Sequence, residues 1–295
     1  MNLNYLRVPV IRKFYNMVQL QLLLVFLTSL LFQGSEQDQY SPSNRIINGE
    51  NAAPKQFPYQ VLTEKLVNYD WKRSCGGVII SNRTILTAAH CIRDSIDSTL
   101  SSRYARKIYF GTVDKTNIYE TGQQRLIVKR KNIIVHPEYD SIQFLNDIAL
   151  IRLPAEILFD EYIQPAKLPD PDKLYDNEIG VVSGWGISDR HSWNLPNNLQ
   201  YLNVTIFPYE ECKPLVHKYK GLHAKFFPAS YICLKPSQGR PCKGDSGGPL
   251  AIRNEDGTST LVGLTSFGMD GTCPPNTPVI YTRVSSFLQW IKENE

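Results

Sequence analysis

Short apolar runs, broken at regular intervals by turn residues, dominate the chain. Examples are "GGVIISNRTILTAAHC" (76–91), "NIIVHPEYD" (132–140), "DIALIRL" (147–153), "LVGLTSFG" (261–268) and "PVIYTRV" (278–284). Many are β-branched, and Gly, Pro, Asn or Asp recurs about every ten positions. That pattern predicts an all-β barrel or sandwich and argues against alternating βαβ units. One helix is expected, at the C-terminus: Phe287, Leu288 and Ile291 form a stripe behind the cap candidates Ser285 and Ser286. No short repeat is present.

Two segments lie outside this pattern. Residues 20–32, "LQLLLVFLTSLLF", form the longest apolar run, with basic residues before it and Gln33-Gly34-Ser35 after it. A bilayer span needs about 20 apolar residues. The run is shorter, so a cleaved secretory signal over residues 1–34 is expected, with Met17 an alternative initiator. The next stretch, residues 35–45, is polar and ends in Arg45. It changes abruptly into the apolar Ile46-Ile47 of "IINGENAAPKQFPYQV".

The chain has 295 residues, and six cysteines in an apparently secreted protein predict three disulfides. The formal charge of +4 is inflated by the leader: residues 46–295 hold 28 Lys and Arg against 26 Asp and Glu. Nothing in that balance calls for nucleic acid, or for a membrane once the signal is gone. The "KRK" at Lys129–Lys131 reads as a solvated strand edge. Without a CxxC pair, no structural metal is expected. Asn82 and Asn203 head usable glycosylation sequons.

Three segments carry chemistry. "LTAAHC" places His90 next to Cys91, where a disulfide would anchor a base. "NDIALIRL" places Asp147 at the head of an apolar strand, and a buried carboxylate there needs a partner such as an imidazole N–H. "GDSGGPL" holds Ser246, a hydroxyl that becomes a nucleophile only beside a base. Gly244, lacking Cβ, lets backbone N–H groups approach a developing oxyanion.

Taken together and in order, the Arg45 junction with "IING", "CGG" (75–77), "TAAHC", "DIAL", "SGWG" (183–186), "GDSGGPL" and "YTRV" (281–284) resemble the chymotrypsin/trypsin family of serine endopeptidases. The resemblance spans Ile46 to about Glu295. It implies two six-stranded antiparallel β-barrels, about 46–165 and 166–284, a C-terminal helix at about 285–294, and an active site between the barrels. It also implies Ser246 as nucleophile, His90 as base then acid, Asp147 as its orienter, and an oxyanion hole from the N–H groups of Gly244 and Ser246. The implied disulfides are Cys75–Cys91, Cys212–Cys233 and Cys242–Cys273.

The resemblance further implies a zymogen. Cleavage at Arg45–Ile46 by a trypsin-like protease would create an α-ammonium that pairs with Asp245. The expected partners are protein or peptide substrates, that activating protease and protein protease inhibitors, acting on a secreted monomer with no cofactor. Since no carboxylate pair stands out between Tyr109 and Arg125, no calcium is expected. A catalytically silent homologue that binds or regulates is the alternative.

By the family's pattern the primary pocket has its floor at Arg240 and walls at Ser266, Phe267, Gly268 and Val279. A guanidinium cannot be deprotonated and would repel Lys and Arg substrates. Three readings stay open: Arg240 favours acidic side chains, Val279 leaves room only for small or medium apolar ones, or Arg240 turns outward and the preference is chymotrypsin-like. The simple leader and three disulfides look most like the arthropod collagenase-like (brachyurin) branch. The remaining histidines, His136, His191, His217 and His223, read as turn or loop residues.

Overall fold

The first described strand, β1 (Glu50–Asn51), leads into a hairpin of β2 (Gln60–Val67) and β3 (Asp70–Ile79). In this computed structural model the described residues are 46–67, 69–93, 105–189, 195–220, 227–237 and 239–295. The signal and propeptide readings, Arg45, His191 and His223 lie outside them. Among the described residues, no helix is long and apolar enough to cross a membrane.

After β3 come β4 (Thr84–Thr87), a four-residue helix α1 (His90–Arg93), β5 (Ala105–Phe110), β6 (Gln124–Lys129), β7 (Ile133–Val135) and β8 (Ala149–Arg152). These strands form one antiparallel sheet in the order β6-β5-β2-β3-β4-β8-β7. The second half holds β9 (Ile179–Gly184), β10 (Gln200–Phe207), a helix α2 (Tyr209–Lys220), β11 (Tyr231–Leu234), β12 (Pro249–Arg253), β13 (Ser259–Gly268) and β14 (Val279–Arg283). Its order is β1-β10-β11-β14-β13-β12-β9, and a further β10–β9 pairing closes it on itself. The chain ends in a 3-10 turn (Val284–Phe287) and the helix α3 (Leu288–Asn294).

The two antiparallel barrels expected from the sequence are therefore present. Each counts seven strands where six were expected, because each sheet includes one very short segment, β1 or β7. Segments of two or three residues carry no readable alternation. The N-terminal boundary also differs from the expected division. β1 pairs with β10, Glu50 opposite Tyr201 and Asn51 opposite Gln200, so the first described residues belong to the second sheet. Burial explains this: Ile46 is fully buried in a cluster with Val182, Val204, Leu250 and Tyr281 of the second sheet.

A longer helix, α2, was not anticipated. Pro214 sits inside it and its apolar residues are few, which hid the helical period. Glu210 and Glu211 in its first turn complement the helix dipole, while Cys212 and Val216 are buried. His217 therefore lies on this helix, not in a loop.

The two sheets meet over shared apolar residues. Tyr59, Leu86, Ile148 and Leu150 of the first half pack with Ala251, Leu264, Val284, Phe287 and Ile291 of the second. His136, in a turn as expected, packs edge-on against Phe287 and tilted against Trp290, with ring centroids 5.4 and 5.0 Å away. The loop between β5 and β6 is closed by its own acid. The Glu120 carboxylate accepts from Thr112 Oγ1 at 2.6 Å and from Val113 N at 2.8 Å.

Candidate active site

His90, Asp147 and Ser246 reach the junction of the sheets from three different loops. His90 opens α1 directly after the fully buried pair Ala88-Ala89, and a disulfide from Cys91 to Cys75 ties that turn to β3. The disulfide also means that the Cys75, His90 and Cys91 cluster offers no free thiolates to a metal. Asp147 precedes β8 and is 0 % exposed.

Every polar contact of the Asp147 carboxylate is directed. Its Oδ1 accepts from the His90 backbone N at 2.8 Å, and its Oδ2 faces His90 Nδ1 at 2.7 Å. Ser266 Oγ donates to the same Oδ2 at 2.5 Å, and Thr282 Oγ1 donates to the Asp147 carbonyl at 2.8 Å. Ser266 is on β13 and Thr282 on β14, so a hydroxyl of the second sheet holds the Asp147 carboxylate and another holds its backbone carbonyl. Reading Ser266 only as a pocket wall missed this bond, and Thr282 was missed altogether. Neither carries a local sequence signal.

Ser246 lies in a turn whose glycines are required by space. Gly247 has φ +70°, and a Cβ there would fall 2.3 Å from Thr87 Oγ1. On the facing strand, a Cβ on Gly76 would come within 2.8 Å of Gly248 Cα. That close approach lets Gly76 N donate to the Ser246 carbonyl at 2.8 Å, stitching β3 to the serine turn. Gly244 has φ +100°, in the region that favours glycine.

Beside the serine, Asp245 is buried between backbone groups. Its Oδ1 accepts from Gly186 N at 2.7 Å and its Oδ2 from Cys242 N at 2.9 Å. Glycine is needed at 184 and 186 because the carboxylate occupies the space their side chains would take. Burial pushes the Asp245 pKa up to about 6, against the lowering effect of the two N–H groups and of the nearby Arg73 charge. Arg73 is a cation the sequence reading did not connect with this carboxylate.

A cavity of about 260 Å³ opens next to Ser246, lined by Arg240, Ser266, Phe267, Gly268 and Val279 among others. The five residues expected to form the primary pocket therefore do line one cavity. Arg240 is 3 % exposed, and its Nη1 donates to the Pro274 carbonyl and to Thr277 Oγ1. The reading in which Arg240 turns outward is overturned: the side chain is anchored inside by Pro274 and Thr277, just after Cys273 of the Cys242–Cys273 bridge. Nη2 lies 3.3 Å from where a Gly268 Cβ would be. Phe144, also unanticipated, closes the mouth, its ring 5.3 Å from Phe267 and 5.8 Å from His90. The third disulfide, Cys212–Cys233, fastens α2 to β11.

The family description "Trypsin" matches residues 46–291. The chain belongs to this family. A collagenase of Hypoderma lineatum is 32 % identical over 93 % of this chain and 98 % of that protein. The human chymotrypsin-like elastase family member 3B is 30 % identical over 94 % of this chain and 98 % of its own length. The trypsin-family fold also superposes on a solved HL collagenase structure, with a TM-score of 0.68 and 31 % identity over 84 % of this chain and 97 % of that one. Two longer Drosophila melanogaster relatives match over less of their length: the chain spans 31 % of serine proteinase stubble and 14 % of serine protease filzig. The chain is thus a trypsin-family serine endopeptidase whose relatives include an arthropod collagenase and an elastase.

Proposed function

We propose that the protein is secreted as a zymogen and, once cut at Arg45–Ile46, hydrolyses peptide bonds through an acyl-enzyme. The observation that carries this reading is the buried Asp147 carboxylate, hydrogen-bonded to both the backbone and Nδ1 of His90. That pair fixes the tautomer in which Nε2 is free to take a proton. His90 Nε2 removes the Ser246 proton as Oγ attacks the scissile carbonyl. The N–H groups of Gly244 and Ser246 stabilise the oxyanion. His90 then protonates the leaving amine, and water repeats the sequence to release the acid.

Activation acts on Asp245. Its buried carboxylate accepts two N–H groups and is costly to keep ionised without a nearby cation. An α-amino group, with an ordinary pKa of about 8, is cationic at neutral pH and suits that place. The pairing of the mature N-terminus with the pocket supports coupling between the two: Arg240 N donates to the Ile47 carbonyl at 3.0 Å.

The pocket disfavours Lys and Arg, because its base holds a buried guanidinium. Val279 and that guanidinium also shorten it, so small and acidic side chains are the ones accepted. The sequons at Asn82, half-buried, and Asn203, exposed on β10, stand as glycosylation sites of the secreted chain. Protein protease inhibitors would engage the same cleft of a monomer.

A fluorophosphonate probe tests the central claims. It should label Ser246 after cleavage at Arg45–Ile46 and leave an Arg45→Gln chain unlabelled. Equal labelling of Arg45→Gln overturns the zymogen reading. No labelling of the cleaved wild type overturns the catalytic one. Peptide-library profiling of Arg240→Ser should shift preference toward larger uncharged side chains, and an unchanged profile removes Arg240 from the specificity reading.

A further inference from the structure

A second cationic feature stands beside Gly244, outside the residues that line the primary cavity. Arg73, on β3 two residues before the Cys75–Cys91 bridge, and Lys115, in the β5–β6 loop, converge on one acceptor. Lys115 Nζ donates to the Pro196 carbonyl at 2.7 Å and Arg73 Nη1 to the same oxygen at 3.4 Å. Two cations on one carbonyl leave most of their donors unused. Arg73 Nη2 is buried and has no hydrogen-bond partner among the described residues. A Cβ on Gly244 would lie 3.7 Å from this Nη2 and 3.6 Å from Leu195 Cδ2. This wall therefore borders the oxyanion glycine directly.

Three acids face the pair, and each is engaged elsewhere: the Asp245 carboxylate, beside Arg73, accepts from Gly186 N and Cys242 N. Glu64 Oε2 accepts from Tyr109 OH at 2.6 Å and lies 3.8 Å from Lys107 Nζ. Asp114 Oδ1 accepts from the backbone N and hydroxyl of Thr116. Burial and the neighbouring Arg73 charge push Lys115 down to about 8, and burial pushes Arg73 down to about 10. Burial is the leading cause of both shifts, and for Lys115 the Arg73 charge adds to it.

The geometry of the cleft says what passes here. A substrate whose acyl-side residue fills the Arg240 cavity crosses Ser246 and leaves over the wall of Gly244, Arg73 and Leu195. We propose that Arg73 and Lys115 form a leaving-group subsite that selects substrates with an acidic residue among the first two after the scissile bond. This rests on the endopeptidase reading of the same site. An incoming carboxylate would pair with Lys115 Nζ in charge-assisted hydrogen bonds, with the part-buried Arg73 guanidinium as the second cation.

Acyl transfer isolates this subsite, because it reads the amine bound to a preformed acyl-enzyme. The amine displaces Ser246 Oγ from the acyl carbon, forming a peptide bond while His90 relays the proton from the amine to the serine oxygen. The cleaved enzyme is acylated by an ester, and water competes with dipeptide amides that differ only as Glu against Gln or Asp against Asn. The carboxylate-bearing amine should be captured about fivefold better than its amide isostere, the size of a partly screened ion pair. The ratio should fall toward one in Arg73→Gln and in Lys115→Gln. Equal capture by the wild type overturns the proposal, as does a preference that persists in both variants. Lys115→Gln, changed in a surface loop, carries the comparison if Arg73→Gln does not fold. An acyl-enzyme that forms without preference defeats only this subsite, whereas failure of the wild type to acylate defeats the endopeptidase reading as well.

Discussion

Asp147 and Asp245 are both buried carboxylates beside the same serine, at 0 % and 2 % exposure, yet they are solved in opposite ways. Asp147 is surrounded by dedicated donors: an imidazole, a backbone N–H and the Ser266 hydroxyl. Asp245 accepts only two backbone N–H groups, with Arg73 as a nearby charge, and burial wins, raising its pKa to about 6. The first site is complete as the chain stands. The second is short of a cation, and a local proteolytic cut can supply one. In the zymogen reading proposed above, catalytic alignment is built into the fold and readiness waits for the cut.

The comparison breaks most sharply at Asp147. Asp147→Asn keeps the size but turns an acceptor oxygen into a donor, so His90 is held in the wrong tautomer. A loss of about 10⁴ in kcat is expected, the magnitude known for this family's Ser-His-Asp template. Steady-state kinetics of the cleaved variant measure it. A loss under tenfold would mean that Asp147 orients nothing.

The next effect is on stability, and it has a sign. In the intact chain Asp245 has a folded pKa of about 6 against an ordinary 3.8, so between those values the folded state binds more protons than the unfolded. Stability from this group is therefore greatest at low pH and is lost as pH rises through that window, by up to about 3 kcal/mol. After cleavage the pairing with the Ile46 ammonium reverses the slope: the contribution appears as Asp245 ionises. Urea unfolding of intact and cleaved Ser246→Ala chains, measured across the window, should give stability differences that change in opposite directions. Parallel curves would mean that the new N-terminus never reaches Asp245.

This asymmetry also explains what could be read from the sequence. The all-β class and the candidates His90, Asp147 and Ser246 rest on local signals, short β-branched runs, turn glycines and compact motifs, whereas the two-barrel arrangement and the disulfide partners came only with the family resemblance those motifs carry. What escaped is non-local. Arg73 lies in an ordinary strand, and only folding brings it beside Asp245 and Lys115. Ser266 and Thr282 sit inside β-strands, where a hydroxyl gives no sign that it points at Asp147 from the other sheet, Ser266 at the carboxylate and Thr282 at the backbone carbonyl. Arg240 was visible as a departure from the family's pattern, but its direction depends on Pro274 and Thr277, which belong to a different loop. Helix α2 was hidden for a separate reason, a proline within a weakly apolar stretch.

The smallest predicted effect tests how complete the Asp147 environment is. Ser266→Ala removes one donor and leaves His90 N and Nδ1 in place, so the carboxylate loses one bond of three without becoming unpaired. A buried hydrogen bond to a charged acceptor contributes about 1.5–3 kcal/mol to stability. The effect on kcat should be smaller than that, since the imidazole tautomer is still fixed by the remaining geometry. A tenfold loss at most is expected, together with a lower midpoint in urea. The same truncation also widens the cavity wall, so the two roles of Ser266 can be separated. If the loss appears in kcat for every substrate, the hydroxyl acts through Asp147. If it appears only in KM, and only for substrates with large side chains, Ser266 is a pocket wall and the bond to Asp147 is incidental.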